Sequence, residues 1–327
     1  MTEAAETTGG IYFKESHDTE TFTTGCTLLD CALGGGWAVG RICNIVGDKS
    51  TGKTLAAIEA CANYAAKYDV APIYYAEAEA AFDVTYAESL GLPVARVNFV
   101  EDCFTVEALF DALTTVVADH DEALFVIDSL DALSDQAELD REMGAGTYGA
   151  SKAKQLSQMF RRLVKKMGAK KVTVMVISQV RDNIGVTFGK KVTRSGGRAL
   201  DFYASQVLWL SHIARIKKIR KGIERVVGVR VKGMVEKNKV GLPFREIEFP
   251  IYFSYGVEDV VAGLTWLIDN KQTSVYNLDE SAAKKLLKRI EKVDDEEYFK
   301  HKEGVSAAVK KAWAQVEQSF APRRRKY

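Results

Sequence analysis

Arg41-Ile42-Cys43-Asn44-Ile45-Val46-Gly47-Asp48-Lys49-Ser50-Thr51-Gly52-Lys53-Thr54 decides the fold of this 327-residue chain. The first six residues make an apolar run of strand length. The last eight fit the pattern GxxxxGK[ST]. Such a glycine-rich turn brings backbone N–H groups close to phosphates at the start of a helix. That helix is expected over Lys53–Lys67, where Leu55, Ile58, Ala62 and Ala66 recur at helical spacing. In this context Gly47, Asp48, Lys49, Ser50, Thr51 and Gly52 line the phosphates of a nucleotide. Lys53 reaches the β- and γ-phosphates, and Thr54 turns its hydroxyl to Mg²⁺.

Further apolar runs follow. Strands are expected at 72–76, 97–100, 124–127 and 172–177, with helices at 105–118 and 148–168 between them. This alternation predicts an α/β domain with a mostly parallel central sheet covered on both faces. Beyond residue 200 the runs 206–210, 226–235 and 247–253 have no helices between them, and are expected to extend the sheet antiparallel. From 262 the chain turns helix-rich, with helices expected at 281–291 and 305–320. The segment 262–327 is expected to form a small C-terminal domain beside a core of residues 24–261. It ends in a basic tail, Pro322-Arg323-Arg324-Arg325-Lys326-Tyr327.

Two acidic positions join the phosphate loop. Asp128 ends the apolar run Leu124-Phe125-Val126-Ile127. A carboxylate there lies on the ligand edge of a parallel sheet and can hold Mg²⁺. The strand at 72–76 runs into Glu77-Ala78-Glu79. Alternation puts both glutamates on one face, so either could activate a water.

Composition excludes other classes. Hydrophobic residues are 47% and charged residues 27%, which argues against a disordered chain. Lys and Arg number 45 against 44 Asp and Glu, so a uniformly basic nucleic-acid binder is excluded. The charge is segregated instead: residues 181–240 hold 15 bases and four acids, a local net of +11. No apolar run is long enough to span a bilayer, and the acidic N-terminus lacks a secretory pattern. Five cysteines without CxxC spacing and four scattered histidines predict neither a disulfide framework nor a zinc site. The expectation is a reduced, cytoplasmic protein with no membrane partner.

The chain resembles the RecA family of DNA strand-exchange ATPases. The likeness begins at Thr24-Gly25-Cys26-Thr27-Leu28-Leu29-Asp30-Cys31-Ala32-Leu33-Gly34-Gly35-Gly36 and continues through the phosphate loop. It returns at Glu77 to Asp83, Ile127-Asp128-Ser129, Gln179 to Gly189, Ser195 to Ser205 and Glu236-Lys237-Asn238-Lys239. It covers about residues 22–255. The resemblance implies a RecA-like core that binds ATP and Mg²⁺. It selects Glu79 as the catalytic acid and Gln179 as the γ-phosphate sensor. It puts Asp83 and Tyr86 at the adenine. Lys237 and Lys239 would reach the nucleotide of a neighbouring subunit, and Phe202 would couple the two.

The resemblance also implies two DNA-binding loops. The first carries Tyr148 and Gly149, followed on the next helix by Lys152, Lys154 and Arg161. The second carries Arg181, Ile184, Val186, Phe188, Lys190, Arg194, Gly196, Gly197 and Arg198. Ile184 would wedge between base triplets, and cations would hold phosphates without reading sequence. The chain departs from the family at several points. Residues 1–23 are expected to form a short N-terminal oligomerisation segment, with a strand expected at Gly10-Ile11-Tyr12-Phe13 that would dock on a neighbour or serve as an edge strand of its own subunit. Glu77 replaces an aspartate, Ser178 replaces an asparagine, and the tail is basic rather than acidic. These are the marks of a divergent member, a viral one among the candidates.

The resulting expectation is a DNA-dependent ATPase that forms a helical filament on single-stranded DNA and catalyses homologous pairing and strand exchange. Its partners would be single- and double-stranded DNA, further copies of itself, and a mediator or single-strand-binding protein. The alternatives are a RecA-like paralogue that uses ATP as a switch to load another recombinase, and a ring-forming motor. The ring-forming motor would require an N-terminal assembly domain.

Overall fold

Strand β3 (Ile42–Gly47) is buried along its whole length, with Cys43 and Ile45 facing one layer and Ile42 and Val46 the other. Such a strand needs helices on both sides, and the rest of the chain supplies them. The computed structural model describes residues 19–79, 82–134, 149–182, 192–194, 197–322 and 324. The strand expected at 10–13 and the end of the basic tail lie outside these residues.

Parallel neighbours flank β3. On one side come β7 (Val172–Asp182), β6 (Ala123–Asp128), β4 (Ile73–Glu77) and, at the edge, β5 (Val97–Phe99). On the other side lies β9 (Gln206–Arg220), also parallel, with Cys43 opposite Gln206 and Gly47 opposite Leu210. The expected antiparallel extension therefore begins one strand later. It consists of β10 (Ile223–Asn238), β11 (Arg245–Tyr252) and β12 (Gly256–Val257). The difference arises from α6 (Gly197–Tyr203), too short to declare itself by periodicity, which returns the chain to the starting edge before β9. β7 runs five residues past its expected end and folds back onto β8 (Val192–Arg194), so a hairpin projects from the sheet.

One face of the sheet is covered by α4 (Val106–Asp119), α5 (Gly149–Ala169) and α6, through residues such as Leu109, Leu113, Phe160 and Leu163. The other carries α1 (Thr27–Leu33), α2 (Lys53–Lys67) and α3 (Val84–Ser89). The same apolar cluster continues into α7 (Asp259–Asp269), α8 (Glu280–Arg289) and α9 (Asp295–Ser319) through Leu264, Leu267, Leu286, Val305 and Val309. The boundary expected at 261 falls inside α7. The junction is also polar: the Thr27 amide and hydroxyl donate to the Asp259 carboxylate at 2.6 and 2.8 Å, and Arg245 forks onto Glu317. α9 starts ten residues earlier than its apolar pattern suggested. Asp294 caps it, accepting from the Glu297 amide at 2.8 Å, and three acids fill its first turn. Among the described residues no helix is long and apolar enough to cross a membrane.

Glu20 adjoins the ribbon of β1 (Thr21–Phe22) and β2 (Trp37–Ala38), its carbonyl accepting from the Val39 amide at 2.9 Å. Its carboxylate accepts from the Tyr68 hydroxyl at 2.6 Å, Lys171 at 2.9 Å and Lys67 at 3.2 Å. The Tyr68 bond, then Lys171, lowers its pKa to about 2 from 4.5. A depressed carboxylate contributes stability that is complete above about pH 4.5 and lost as pH falls toward 2. The deficit of Glu20→Gln in urea unfolding should therefore be present at pH 7 and shrink steadily below pH 4.5.

Gly36 sits at φ +116°, and a Cβ there would overlap the Phe22 carbonyl, 2.9 Å from its carbon. Gly91 has φ +86° but nothing within 4 Å of the same position. Gly36→Ala should cost about 3 kcal/mol or more, and Gly91→Ala only about 1 kcal/mol of backbone strain. Denaturant midpoints of the two variants check this.

Candidate functional site

The parallel strands end at one edge of the sheet, and the expected nucleotide residues gather there. β3 runs into the loop 47–52, and α2 begins at Lys53 behind Gly52, whose φ is +87°. Leu55, Ile58 and Cys61 anchor α2 in the core, so its N-terminus is fixed with its free amides at the sheet edge. Within the loop, Thr51 Oγ1 donates to the Asp48 carbonyl at 2.9 Å. Lys53 Nζ donates to the same carbonyl at 2.7 Å. Burial lowers the Lys53 pKa, while Asp128, Glu79, Asp48 and Asp131 act against that shift.

Asp128 ends β6 opposite Glu77 of β4. It is 6% exposed. Its carboxylate accepts from the Tyr75 hydroxyl at 2.8 Å and from the Thr54 hydroxyl. Burial raises its pKa, those two hydrogen bonds oppose the rise, and Glu79 and Glu77 add to it. Thr54 and Asp128 thus form a pair of hard oxygen donors beside the phosphate loop. That set fits Mg²⁺, which takes one or two protein ligands and fills the rest of its shell with phosphate and water.

Glu79 stands nearby. Its carboxylate accepts from the Ser129 hydroxyl and from Gln179 Nε2 at 2.9 Å. The Gln179 backbone N–H in turn donates to Asp131 Oδ2 at 2.7 Å. Gln179 lies opposite Gly47 in the β3–β7 register. Glu79, Gln179, Lys53, Thr54 and Asp128 therefore share one locus. Glu77 accepts from the Glu79 amide at 3.1 Å instead.

Sequence reasoning passed over Ser129, Asp131 and Tyr75. Ser129 and Asp131 adjoin Asp128, but only the folded turn brings them to Glu79 and Gln179. Asp83 and Tyr86 open α3: the Asp83 carboxylate caps it, accepting from the Tyr86 amide at 2.9 Å. Tyr86 is half-buried against the core, and burial and then Glu59 raise its pKa.

Lys237 and Lys239 lie elsewhere. In register, Lys237 is level with Val207 and Asn44, three residues before Gly47. It is about 10 Å back from the phosphate loop along the strand direction. The Lys237 ammonium donates to the carbonyls of Asp201 and Phe202, the latter at 3.1 Å, and that of Lys239 to Phe202 at 3.4 Å. These carbonyls close α6, where cations are favoured. Both lysines are held away from their own phosphate loop, beside an exposed Phe202.

Of the expected DNA-binding residues, Tyr148, Ile184, Val186, Phe188, Lys190 and Gly196 lie outside the described residues. Gly149 starts α5, and Lys154 and Arg161 are exposed on it, seven residues apart and thus on one face. Lys152 does not join them: it turns inward to the Leu133 carbonyl. Arg181 pairs with Thr193 and Arg194 with Val180 across the β7–β8 hairpin, and Gly197 and Arg198 open α6. β7, which leads into the second loop, passes Gly47 and the start of the phosphate loop at Gln179.

The family model for the RecA N-terminal domain matches residues 9–258. Curated relatives agree. The chain is 40% identical over 238 residues to Protein RecA of Synechococcus sp. (strain CC9605), covering 73% of this chain and 62% of that protein. It is 38% identical over 241 residues to Protein RecA of Prochlorococcus marinus (strain MIT 9211), with 74% and 64% covered. It is 40% identical over 238 residues to Protein RecA of Nostoc sp. (strain PCC 7120 / SAG 25.82 / UTEX 2576), with 73% and 64% covered. The match thus spans less than two thirds of the length of these relatives. With a family match over three quarters of its length and a phosphate loop, two carboxylates and a glutamine assembled at one sheet edge, this chain belongs to the RecA family.

Proposed function

We propose that the protein is an ATP-dependent recombinase that assembles on single-stranded DNA and pairs it with a homologous duplex. The observation that carries this reading is the Gln179–Glu79 hydrogen bond of 2.9 Å. Gln179 belongs to β7, the strand that continues into the second DNA loop, and Glu79 belongs to the hydrolytic site. One bond thereby ties the state of the nucleotide to the loop that would grip DNA.

In this reading the loop amides and Lys53 hold the phosphates of ATP. Thr54 and Asp128 hold Mg²⁺, which screens the phosphate charge. Glu79 orients the attacking water and accepts its proton, and Gln179 follows the γ-phosphate. Asp83 and Tyr86 flank the base. Phosphoryl transfer then rests on positioning and charge stabilisation. Lys154, Arg161, Arg181, Arg194 and Arg198, with Ile184, Val186 and Phe188, contact DNA. Lys237 and Lys239 complete the site of the next subunit, so the assembly is head-to-tail and an open filament follows. The cytoplasm and a mediator or single-strand-binding partner complete the setting.

Glu79→Gln should retain ATP and DNA binding and lose about 10²–10⁴-fold in hydrolysis. Hydrolysis measured without DNA, with single strands and with duplex, at two salt concentrations, tests the wider reading. Stimulation by single strands that fades at high salt is the expected result. Binding without stimulated turnover would indicate a switch-like paralogue.

The shared site has its own test. Glu79→Gln and the double variant Lys237→Ala/Lys239→Ala should each be nearly inactive alone. An equimolar mixture should recover roughly a quarter of wild-type turnover, because a head-to-tail interface can draw one intact half from each. No recovery would mean that each site is built from one subunit.

A further inference from the structure

Tyr75 projects from β4 to the face covered by α2 and is fully buried. A phenol in that position must find an acceptor. It finds Asp128 Oδ2 at 2.8 Å, on the carboxylate that also accepts from the Thr54 hydroxyl. The ring itself is locked. Phe82 meets it edge-on with centroids 4.9 Å apart, and Phe99 lies tilted at 6.1 Å. Phe82 and Phe99 also contact each other edge-on at 5.0 Å. The hydroxyl cannot swing to another acceptor without opening this trio.

We propose that Tyr75 is a positioning residue for the metal-binding carboxylate: its hydroxyl fixes one oxygen of Asp128 so that the group presents a constant face to Mg²⁺ and Thr54. This rests on the reading that Thr54 and Asp128 hold Mg²⁺ beside the nucleotide. The physical need is specific. The terminal torsion of an aspartate is broad and roughly two-fold, so burial alone does not fix the carboxylate plane. A hydrogen bond from a rigid donor does, and such outer partners of metal-binding groups commonly matter 10- to 100-fold in metal affinity. Tyr75 also links the site to the edge strand β5 through Phe99.

The test uses the full chain. Tyr75→Phe keeps the ring and both aromatic contacts and removes one oxygen. Mn²⁺ binding to the ADP-loaded protein is followed by the electron paramagnetic resonance of free Mn²⁺. ADP affinity in EDTA and the thermal midpoint are measured alongside. The metal dissociation constant should rise about 10-fold, with metal-free ADP affinity and thermal midpoint little changed. In an Asp128→Asn background the same substitution should have almost no effect, because Tyr75 acts through that carboxylate.

An unchanged metal affinity in Tyr75→Phe overturns the proposal. So does an equal effect with and without Asp128, or a parallel loss of metal-free ADP binding, which marks general damage. Wild-type protein that fails to bind Mn²⁺ with ADP would sink the nucleotide reading and this inference together. Wild-type binding matched by Tyr75→Phe would sink this inference alone.

Discussion

The pairing of β3 between two parallel strands is the constraint on which the rest depends. With both faces buried and both edges hydrogen-bonded, β3 has no freedom to shift register without moving every apolar side chain to the wrong layer. Its C-terminal end therefore stands at a fixed point. The phosphate loop begins there, and Gln179 of the neighbouring strand is held level with Gly47. Asp128 and Glu79 follow from strands one and two places further out. The site is a consequence of register.

That register concentrates charge. Asp48, Glu79, Asp128 and Asp131 act together on Lys53, and Glu79 and Glu77 add to the upward push that burial gives the pKa of Asp128. Hydroxyl and amide donors offset part of the repulsion: Tyr75 and Thr54 on Asp128, Ser129 and Gln179 on Glu79. A site so rich in carboxylates is suited to a divalent cation, and a phosphate chain needs that cation as its counter-charge.

The same sheet keeps Lys237 and Lys239 apart from the phosphate loop of their own chain. Lys237 and Lys239 are pinned to the end of α6, level with the middle of β3 rather than its tip. Exposed Phe202 adjoins them. In the proposed reading this patch of cations and an exposed aromatic meets the carboxylates and phosphate loop of another copy, an arrangement that is head to tail.

The sequence by itself determined the local elements. The Gly-rich turn, the helical spacing of Leu55 and Ile58, and the apolar runs at 124–127 and 172–177 gave strand, loop and helix, because period and turn chemistry are local properties. It also named Lys53, Thr54 and Asp128, since each sits at the end of such an element. Glu79 over Glu77 needed the family likeness, as alternation treats the two alike. Only the tertiary structure decided the rest. It set β9 parallel to β3, because a seven-residue helix returns the chain first. It merged α7 to α9 with the core, because their apolar faces have no cluster of their own. It turned Lys152 inward and brought Tyr75, Ser129 and Asp131 to the site. Those contacts join residues up to 53 positions apart, and spacing along the chain carries no record of which side chains will meet across neighbouring strands.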